Sequence, residues 1–207
     1  MKLEIEAVFC NIDKDKIRNK LKSLGAKLIV PERKMIRTVF HLPNSNKSCF
    51  ARVRDEGDKI VITYKEFSDS SATGVKELNL VVDDYDAAVE LLRIFGLEEK
   101  SYEESIRETW ELDGAEVCID TWPWIPTYIE VEGASVENMT AVSEKLGFNM
   151  KDAVYGSVDT IYTFYYDVPE DEICKGLNGW DRIEFVPVPD WLAKKRNKTS
   201  ENRYSMI

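Results

Sequence analysis

The sequence predicts an α+β fold in which two groups of antiparallel strands, each accompanied by a helix, build one sheet or barrel. Three observations carry this prediction. Short segments alternate apolar and polar residues, as half-buried strands do. Longer amphipathic segments have apolar residues at helical spacing and end at a glycine, a common helix ending. The order of strand, helix and strands in the first half recurs loosely in the second half, so we expect one domain.

The first half is expected to contain one helix and four strands. The helix, residues 13–24, has Ile17 and Leu21 on one face and stops at Gly25. The third and fourth strands are joined by Asp-Glu-Gly-Asp at residues 55–58, which is typical of a hairpin turn. A polar turn at residues 43–46 precedes this hairpin. The strands are expected at residues 3–9, 34–42, 50–54 and 60–65.

A polar loop at residues 68–74 leads into the second half, which repeats the pattern. Its two helices, residues 85–95 and 136–146, stop at Gly96 and Gly147. Aromatic and β-branched residues are enriched in strands, which favours further strands after the second helix. The strands of this half are expected at residues 76–82, 106–110, 116–120, 128–132, 155–166 and 182–185.

The segment Trp-Pro-Trp-Ile-Pro at residues 122–126 has two interpretations. Its indole rings could stack against the ring of a ligand at a binding site. The other interpretation is a packed corner that fixes the strand carrying Glu130, and we favour this corner because such segments more often have that role.

Composition excludes several classes of function. The 207 residues are 43% hydrophobic and 32% charged, which is typical of a globular domain with its own core. The net charge of −10 argues against general binding to nucleic acid or anionic membranes, so an anionic ligand needs a local basic site. Apolar runs are far shorter than a membrane span and the N-terminus lacks the form of a signal peptide, so we expect a cytoplasmic protein. The chain has one histidine, His41, and four scattered cysteines, which are too few and too widely spaced to indicate a zinc site.

Carboxylates at alternating strand positions form the most informative pattern. Residues two apart in a strand share one face, so a Glu-x-Glu pair aims both carboxylates the same way. If the strands share a sheet face, these oxygens form a cluster that suits Mg²⁺, Mn²⁺ or Ca²⁺. The alternative is that each glutamate lies on a separate solvent-exposed face. The carboxylates that would meet are Glu4, Glu6, Glu116, Asp120, Glu130 and Glu132.

Cations also occupy alternating strand positions, where half-buried faces usually carry Val, Ile or Thr. Arginine binds phosphate oxygens bidentately and lysine supplies a point charge, so cations beside carboxylates could hold a metal-bound polyphosphate. The alternative is a solvent-exposed face of mixed charge with weak cross-strand ion pairs. The cations concerned are Arg52, Arg54, Lys65 and Arg107.

The order of these motifs resembles the CYTH family, which groups class IV adenylate cyclases with thiamine triphosphatases among the triphosphate tunnel metalloenzymes. The resemblance covers roughly residues 1–170. Its most specific parts are Glu-Ile-Glu at residues 4–6 and Glu-Val-Glu at residues 130–132. Between them, Arg-Val-Arg at residues 52–54 and Arg107 stand in the family's order.

The resemblance implies an antiparallel β-barrel tunnel of about eight strands with helices packed outside. It implies one CYTH-like domain at residues 1–190, followed by a basic tail at residues 191–207. Mg²⁺ or Mn²⁺ is the implied cofactor, and a triphosphate-containing small molecule is the implied ligand. We expect a monomer or a homodimer that binds neither nucleic acid nor a membrane.

The resemblance also assigns roles to residues of this sequence. It places the metal on Glu4, Glu6, Asp120, Glu130 and Glu132. It places the triphosphate on Arg52, Arg54, Lys65, Arg107 and Glu77. The residues expected to act in catalysis are Arg37, Lys65 and Arg107.

Several positions depart from the family pattern. Val8 stands where the opening motif of the family has a lysine, and the tyrosine that the family usually has near residues 35–40 is absent. Arg37 lies in that segment and could replace one of the lost cations. Asn79 replaces the second carboxylate of an internal Glu-x-Glu pair, and Ser105 replaces a basic residue. The lysine and the tyrosine are thought to help activate water in the triphosphatases, so the departures favour binding over fast hydrolysis.

We therefore expect metal-dependent binding and hydrolysis of a triphosphate, which could be inorganic tripolyphosphate, thiamine triphosphate or a nucleoside triphosphate. One alternative is a class IV adenylate cyclase that converts ATP to cyclic AMP. The other alternative is a non-catalytic module that binds polyphosphate or a nucleotide.

Overall fold

The protein forms a nearly closed antiparallel sheet with helices packed on its outside, so the predicted α+β fold class is confirmed. The computed structural model describes residues 1–43, 48–68 and 71–197. The strands are β1 (Lys2–Glu4), β2 (Glu6–Phe9), β3 (Lys27–His41), β4 (Ser48–Asp55), β5 (Ile60–Phe67), β6 (Val75–Val82), β7 (Glu98–Leu112), β8 (Ala115–Thr121), β9 (Tyr128–Glu132) and β10 (Arg182–Ile183). The helices are α1 (Lys14–Ser23), α2 (Tyr85–Ile94), α3 (Val136–Leu146), α4 (Val158–Tyr165), α5 (Glu170–Cys174) and α6 (Asp190–Ala193), with a 3₁₀ turn at Met150–Asp152.

The sheet closes through the N-terminal segment. Within the described residues, the strand order is β1-β6-β5-β4-β3-β7-β8-β9-β2, and β10 adds a short parallel pairing to β7. The strands at the two ends of this order, β1 and β2, are consecutive in the chain and are separated only by Ile5. Because β1 pairs with β6 and β2 pairs with β9, this one segment joins both edges. With β1 and β2 taken as one strand, about eight strands surround the interior, as predicted.

The hydrophobic core lies outside the barrel, between the sheet and the helices. Outward-facing Ala7, Val117 and Val131 are fully buried against the apolar faces of α1 and α3. A second cluster lies under α2 and covers β3 and β4 through residues such as Phe40 and Val53. Since alternate strand residues point to opposite faces, this arrangement leaves the polar residues of the same strands for the interior.

The predicted helices and the hairpin of the first two-thirds of the chain are confirmed. The Asp13 side chain accepts hydrogen bonds from the first amides of α1, which satisfies donors that a helix start leaves unpaired. α3 ends at Gly147, whose φ of 104° is readily adopted only by glycine. In the hairpin turn, Gly57 has a φ of 87° and its amide donates to the Asp55 carboxylate over 2.7 Å. The predicted turn at 43–46 and loop at 68–74 lie partly outside the described residues.

The prediction of strand structure at residues 155–166 is wrong, because most of this segment is helix α4. Ser157 caps the helix, and Ile161, Tyr162 and Tyr165 are buried on one face. These three positions follow the 3.6-residue period of a helix, and the strand prediction had weighed aromatic content over that period. The short strand expected at residues 182–185 is present as β10.

The segment at residues 122–126 is a packed corner, as favoured above. The Tyr162 hydroxyl donates to the Pro123 carbonyl over 2.9 Å, and the Tyr166 hydroxyl donates to the Trp124 carbonyl over 2.5 Å. Trp122 and Ile125 are buried in a cluster formed with the C-terminal part of the chain, which we call the C-terminal aromatic cluster and which also contains Trp180 and Trp191. The corner is therefore fixed by residues far away in sequence.

The C-terminal part of the described chain packs against the domain. Leu192 of α6 is fully buried, and the amide of Asn197 donates to the Tyr165 carbonyl over 2.8 Å. Residues 198–207 of the predicted tail lie outside the described residues, so the boundary at residue 190 stays a prediction. No helix in the described part of the chain is long and apolar enough to cross a membrane.

Candidate functional site

The inward faces of the barrel strands enclose a cavity of about 520 Å³. This volume lies within the range of small-molecule sites. Of the predicted site residues, Asp120 does not line the cavity. The predicted residues that line it are Glu4, Glu6, Arg37, Arg52, Arg54, Lys65, Glu77, Arg107, Glu130 and Glu132.

Acidic side chains from both sides of the closure meet at one part of the cavity. Glu6 lies directly opposite Glu132 in the pairing of β2 with β9, and Glu132 lies opposite Glu116 in the pairing of β9 with β8. Burial, followed by the nearby carboxylate of Glu130, raises the pKa of Glu6 to about 8. Burial likewise raises the pKa of Glu4 to about 6, against the opposing effect of Lys65. The negative charge here is thus incompletely compensated by the protein.

These carboxylates fit a hard divalent cation by their chemistry. They supply oxygen ligands, and a cation among them would compensate the charge of Glu4 and Glu6, whose pKa values burial and neighbouring carboxylates raise. By this donor chemistry, Glu4, Glu6, Glu130 and Glu132 are the group that could hold Mg²⁺ or Mn²⁺. In the ranges that the structure describes, no three Asp, Glu, Cys or His side chains are already arranged as a metal site.

Asp120 lies behind this group and anchors Arg107. Its two carboxylate oxygens accept from Nε and Nη2 of Arg107 over 2.8 and 2.7 Å, and the residue is only 1% exposed. Glu130 also contacts Arg107, with both oxygens 3.3 Å from Nη2. The sequence grouped Asp120 with the metal ligands, whereas the structure pairs it with a cation of the basic side.

Arg52 and Arg37 carry the least compensated positive charge of the site. Both are buried, and the Nε atom of each has no hydrogen-bond partner among the described residues. The nearest ion-pair partner of Arg52 is Glu77, at 3.8 Å from Nη2. Burial and the neighbouring Arg54 lower the pKa of Arg52 to about 9 and that of Arg37 to about 10. Buried donors without acceptors are costly, so an anion in the cavity would satisfy them.

The other two predicted cations already have carboxylate partners. Lys65 lies between two carboxylates of neighbouring strands, with Nζ 2.7 Å from Glu4 and 3.2 Å from Glu77. Arg54 donates through Nε to Glu56 over 2.8 Å. Glu56 also forms ion pairs with Arg33 and Lys59, both over 3.4 Å, so its carboxylate pairs with three cations beside the cavity.

Sequence analysis did not single out several charged residues of the cavity lining, among them Glu56, Lys100 and Glu103, and it favoured a structural role for Trp122, which also lines the cavity. The Lys100 side chain is 9% exposed and forms an ion pair with Asp159 of α4 over 2.7 Å. It stands at a β-bulge, since Val39 pairs with Ser101 and Phe40 pairs with Glu99. The bulge interrupts the alternation of side chains along β7, so Lys100 faces the cavity although the spacing from Arg107 would place it on the outer face. Glu103 lies four residues before Arg107 in the same strand and therefore shares its face, so strand alternation could have predicted that Glu103 lines the cavity.

Arg37 rests on an aromatic ring of the corner. Its guanidinium carbon lies 4.4 Å from the ring centre of Trp122, which is a cation–π contact. Its Nη2 atom donates to the Ser105 hydroxyl over 2.5 Å. Arg37 thus lines the cavity and contacts Ser105, the position where the family resemblance leads one to expect a basic residue.

Comparison with known proteins agrees with this fold. The PH1012 protein of Pyrococcus horikoshii OT3 has a similar structure, with 24% identity and a TM-score of 0.64 over 73% of this chain and 94% of that chain. A candidate adenylate cyclase from Vibrio parahaemolyticus has 14% identity and a TM-score of 0.66 over 78% of this chain and 98% of that chain. A candidate adenylyl cyclase from Hippeastrum, which shows a dominant triphosphatase activity, has 14% identity and a TM-score of 0.54 over 75% of this chain and 91% of its own.

At these identities the structural similarities show the fold alone, and a search of curated proteins finds no match to this chain. The sequence itself matches the model of the CYTH domain over residues 4–165, which is most of its length. This span begins at Glu4, the first of the clustered carboxylates, and ends at the last residue of α4. With its charged barrel interior and this match, the chain belongs to the CYTH domain family.

Proposed function

We propose that this protein binds a triphosphate together with Mg²⁺ or Mn²⁺ in the barrel cavity and hydrolyses it. One observation carries the proposal: two buried arginines with unpaired Nε donors stand across the same cavity from a group of repelling carboxylates. Each charge group is unfavourable alone, and a metal-bound triphosphate would compensate both at once.

The basic side would hold the phosphate oxygens. Arg52 and Arg37 have donors free for an anion, and Lys65 and Arg107 face the same space. Arg107 is fixed in place by Asp120, so it can bind without losing its internal partner. Glu77 would orient Arg52 and Lys65 from the side, since it lies 3.8 and 3.2 Å from them.

The acidic side would hold the metal through Glu4, Glu6, Glu130 and Glu132. When bound, a divalent metal polarises phosphoryl oxygens and neutralises part of their charge. The remaining catalysis of phosphoryl transfer is mostly positioning and electrostatic stabilisation, which Arg37, Lys65 and Arg107 would supply. In hydrolysis, water attacks a terminal phosphorus, the bridging P–O bond breaks, and orthophosphate and diphosphate leave with release of a proton.

Val8 sets the expected rate. It lines the cavity opposite Glu130 and is 3% exposed, so this position offers no group that could take a proton from water. General acid–base help typically contributes about 10²–10⁴-fold to a rate. We therefore propose binding with slow hydrolysis in the wild-type protein.

A second candidate is cyclisation of ATP, in which the ribose 3′-oxygen attacks the α-phosphorus and diphosphate leaves. Two of the structural neighbours are candidate adenylate cyclases, and the same cavity would hold the triphosphate. A non-catalytic binder is the third candidate, and the apolar side chain of Val8 supports it.

Turnover and binding assays separate the three. The protein is incubated with tripolyphosphate, thiamine triphosphate and ATP, each with Mg²⁺, with Mn²⁺ and with a chelator. Orthophosphate release indicates a hydrolase, cyclic AMP with diphosphate indicates a cyclase, and thermal stabilisation without turnover indicates a binder. Absence of both turnover and thermal stabilisation with every ligand and metal would refute the proposal.

A further inference from the structure

We propose that Trp122 is a positioning residue, which holds the guanidinium of Arg37 in the orientation that binds the anion. The inference rests on the proposed function, because it concerns the same cavity. Both side chains line that cavity, and the guanidinium carbon of Arg37 lies 4.4 Å from the centre of the Trp122 ring. Trp122 is 4% exposed and Arg37 is 5% exposed, so water competes little with this contact.

Arg37 has few other contacts that could fix it. Its one side-chain hydrogen bond within the described residues is the donation from Nη2 to Ser105, and its Nε donor is unpaired. Glu103, directly opposite on β7, attracts the guanidinium but forms no ion pair with it within the described ranges, and Arg54 and Arg107 repel it. A buried cation in such surroundings is held mainly by the electron-rich face of the ring. Without that face, the side chain is free to turn away from its neighbouring cations.

The ring itself is fixed from outside the cavity. The Tyr162 and Tyr166 hydroxyls donate to the carbonyls of Pro123 and Trp124, the two residues after Trp122. The Trp124 indole then donates to the Val186 carbonyl over 3.0 Å. Tyr166 and Val186 lie beyond the span of the CYTH match, which ends at residue 165. The C-terminal segment of this chain thereby positions an anion-binding arginine through the Trp122 corner.

A double-mutant cycle tests this inference, with binding of tripolyphosphate and Mg²⁺ measured by titration calorimetry. Trp122→Leu should weaken binding about tenfold or more, since a desolvated cation–π contact is lost. Trp122→Phe keeps an aromatic face and should restore most of the affinity. In the Arg37→Gln background, Trp122→Leu should change affinity by less than about twofold, because the residue it positions is gone. Trp110→Leu makes the same change in the core cluster under α1 and α3, away from the cavity and the corner, and should leave the affinity unchanged.

Each outcome bears on one idea. If Trp122→Leu weakens binding equally in both backgrounds, or not at all, the positioning role is refuted while the proposed function stands. If the wild-type protein does not bind tripolyphosphate, the proposed function itself fails. If Trp122→Leu does not fold, Tyr166→Phe replaces it in the cycle, since it removes a hydroxyl that holds the corner without touching the cavity. Tyr166→Phe should weaken binding in the wild-type background only, and an equal effect in both backgrounds would refute the inference.

Discussion

Replacing Arg52 with methionine should stabilise the ligand-free protein and weaken its binding of tripolyphosphate. Arg52 is 9% exposed, its Nε atom has no partner among the described residues, and its nearest carboxylate is 3.8 Å away. Two other arginines, Arg54 and Arg37, add repulsion. Methionine fills a similar volume without a charge, so the change removes mainly the unfavourable electrostatics.

The size of the effect follows from the lowered pKa of Arg52. That pKa falls from 12.5 to about 9, a difference of 3.5 (12.5 − 9). Since the folded state binds this proton less tightly than the unfolded state, the charge destabilises the fold at every pH below the folded-state pKa. At about 1.36 kcal/mol for each pH unit, the upper limit is about 5 kcal/mol. The variant also takes one cation from Glu77, which keeps Lys65 at 3.2 Å, so we expect a net gain of about 1–4 kcal/mol.

The expected loss in binding is about tenfold to a hundredfold, because a charge-assisted hydrogen bond contributes about 1.5–3 kcal/mol. Urea denaturation with a chelator measures the free energy of unfolding, and titration calorimetry measures affinity for tripolyphosphate with Mg²⁺. Arg93→Met is the matched control, since Arg93 is exposed on α2 and pairs with Glu90 and Glu99. A less stable Arg52→Met protein, or one that binds tripolyphosphate as wild type does, would refute the reasoning.

Two further variants test the acidic side and the missing lysine. Glu6→Gln should raise the unfolding temperature in chelator at neutral pH, because it removes a carboxyl group whose ionisation is unfavourable in the folded protein, and should reduce stabilisation by Mn²⁺. Thermal scans with chelator and with Mn²⁺ measure both effects, and an undiminished Mn²⁺ shift would contradict the metal assignment. Val8→Lys should speed orthophosphate release from tripolyphosphate at alkaline pH, where a lysine could begin to act as a base. Val8→Met controls for volume, and slower release from Val8→Lys than from wild type would show that other groups do the chemistry.

Strand alternation was enough to predict which charged residues of the carboxylate and cation motifs share a face. The geometry of a strand decides locally which residues share a face, so Arg52 and Arg54 were expected to point together, and both line the cavity. Closure of the sheet then brings the charged faces inward, which composition and spacing could not show but the family resemblance implied. The fold class, the helices and the hairpin were predictable for the same reason, because their signals are local.

Contacts that depend on strand register, on a bulge or on a turn were not predicted. Asp120 of β8 lies opposite Arg107 of β7, and this register pairs Arg107 with a residue that the sequence grouped with the metal ligands. Lys100 faces the cavity through a bulge that its own sequence does not signal. Glu56 stands in a turn, where alternation does not apply, yet it holds Arg54.

The break between β1 and β2 at Ile5 explains how Glu4 and Glu6, two residues apart in sequence, can lie beside different strands at the two edges of the sheet. Glu4 ends β1 and lies 2.7 Å from Lys65, whereas Glu6 begins β2 and lies opposite Glu132. Between them, the Ile5 carbonyl accepts from the amide of Gly133, and the amide of Glu6 donates to the Ala72 carbonyl, so each edge of the sheet is bonded to this junction. Lys65, near one edge of the sheet, and Glu132, near the other, therefore line the same cavity only when the barrel is closed. A ligand that bridges the two sides would favour the closed barrel over any opened form by its binding free energy, so binding and closure at this junction are expected to be coupled.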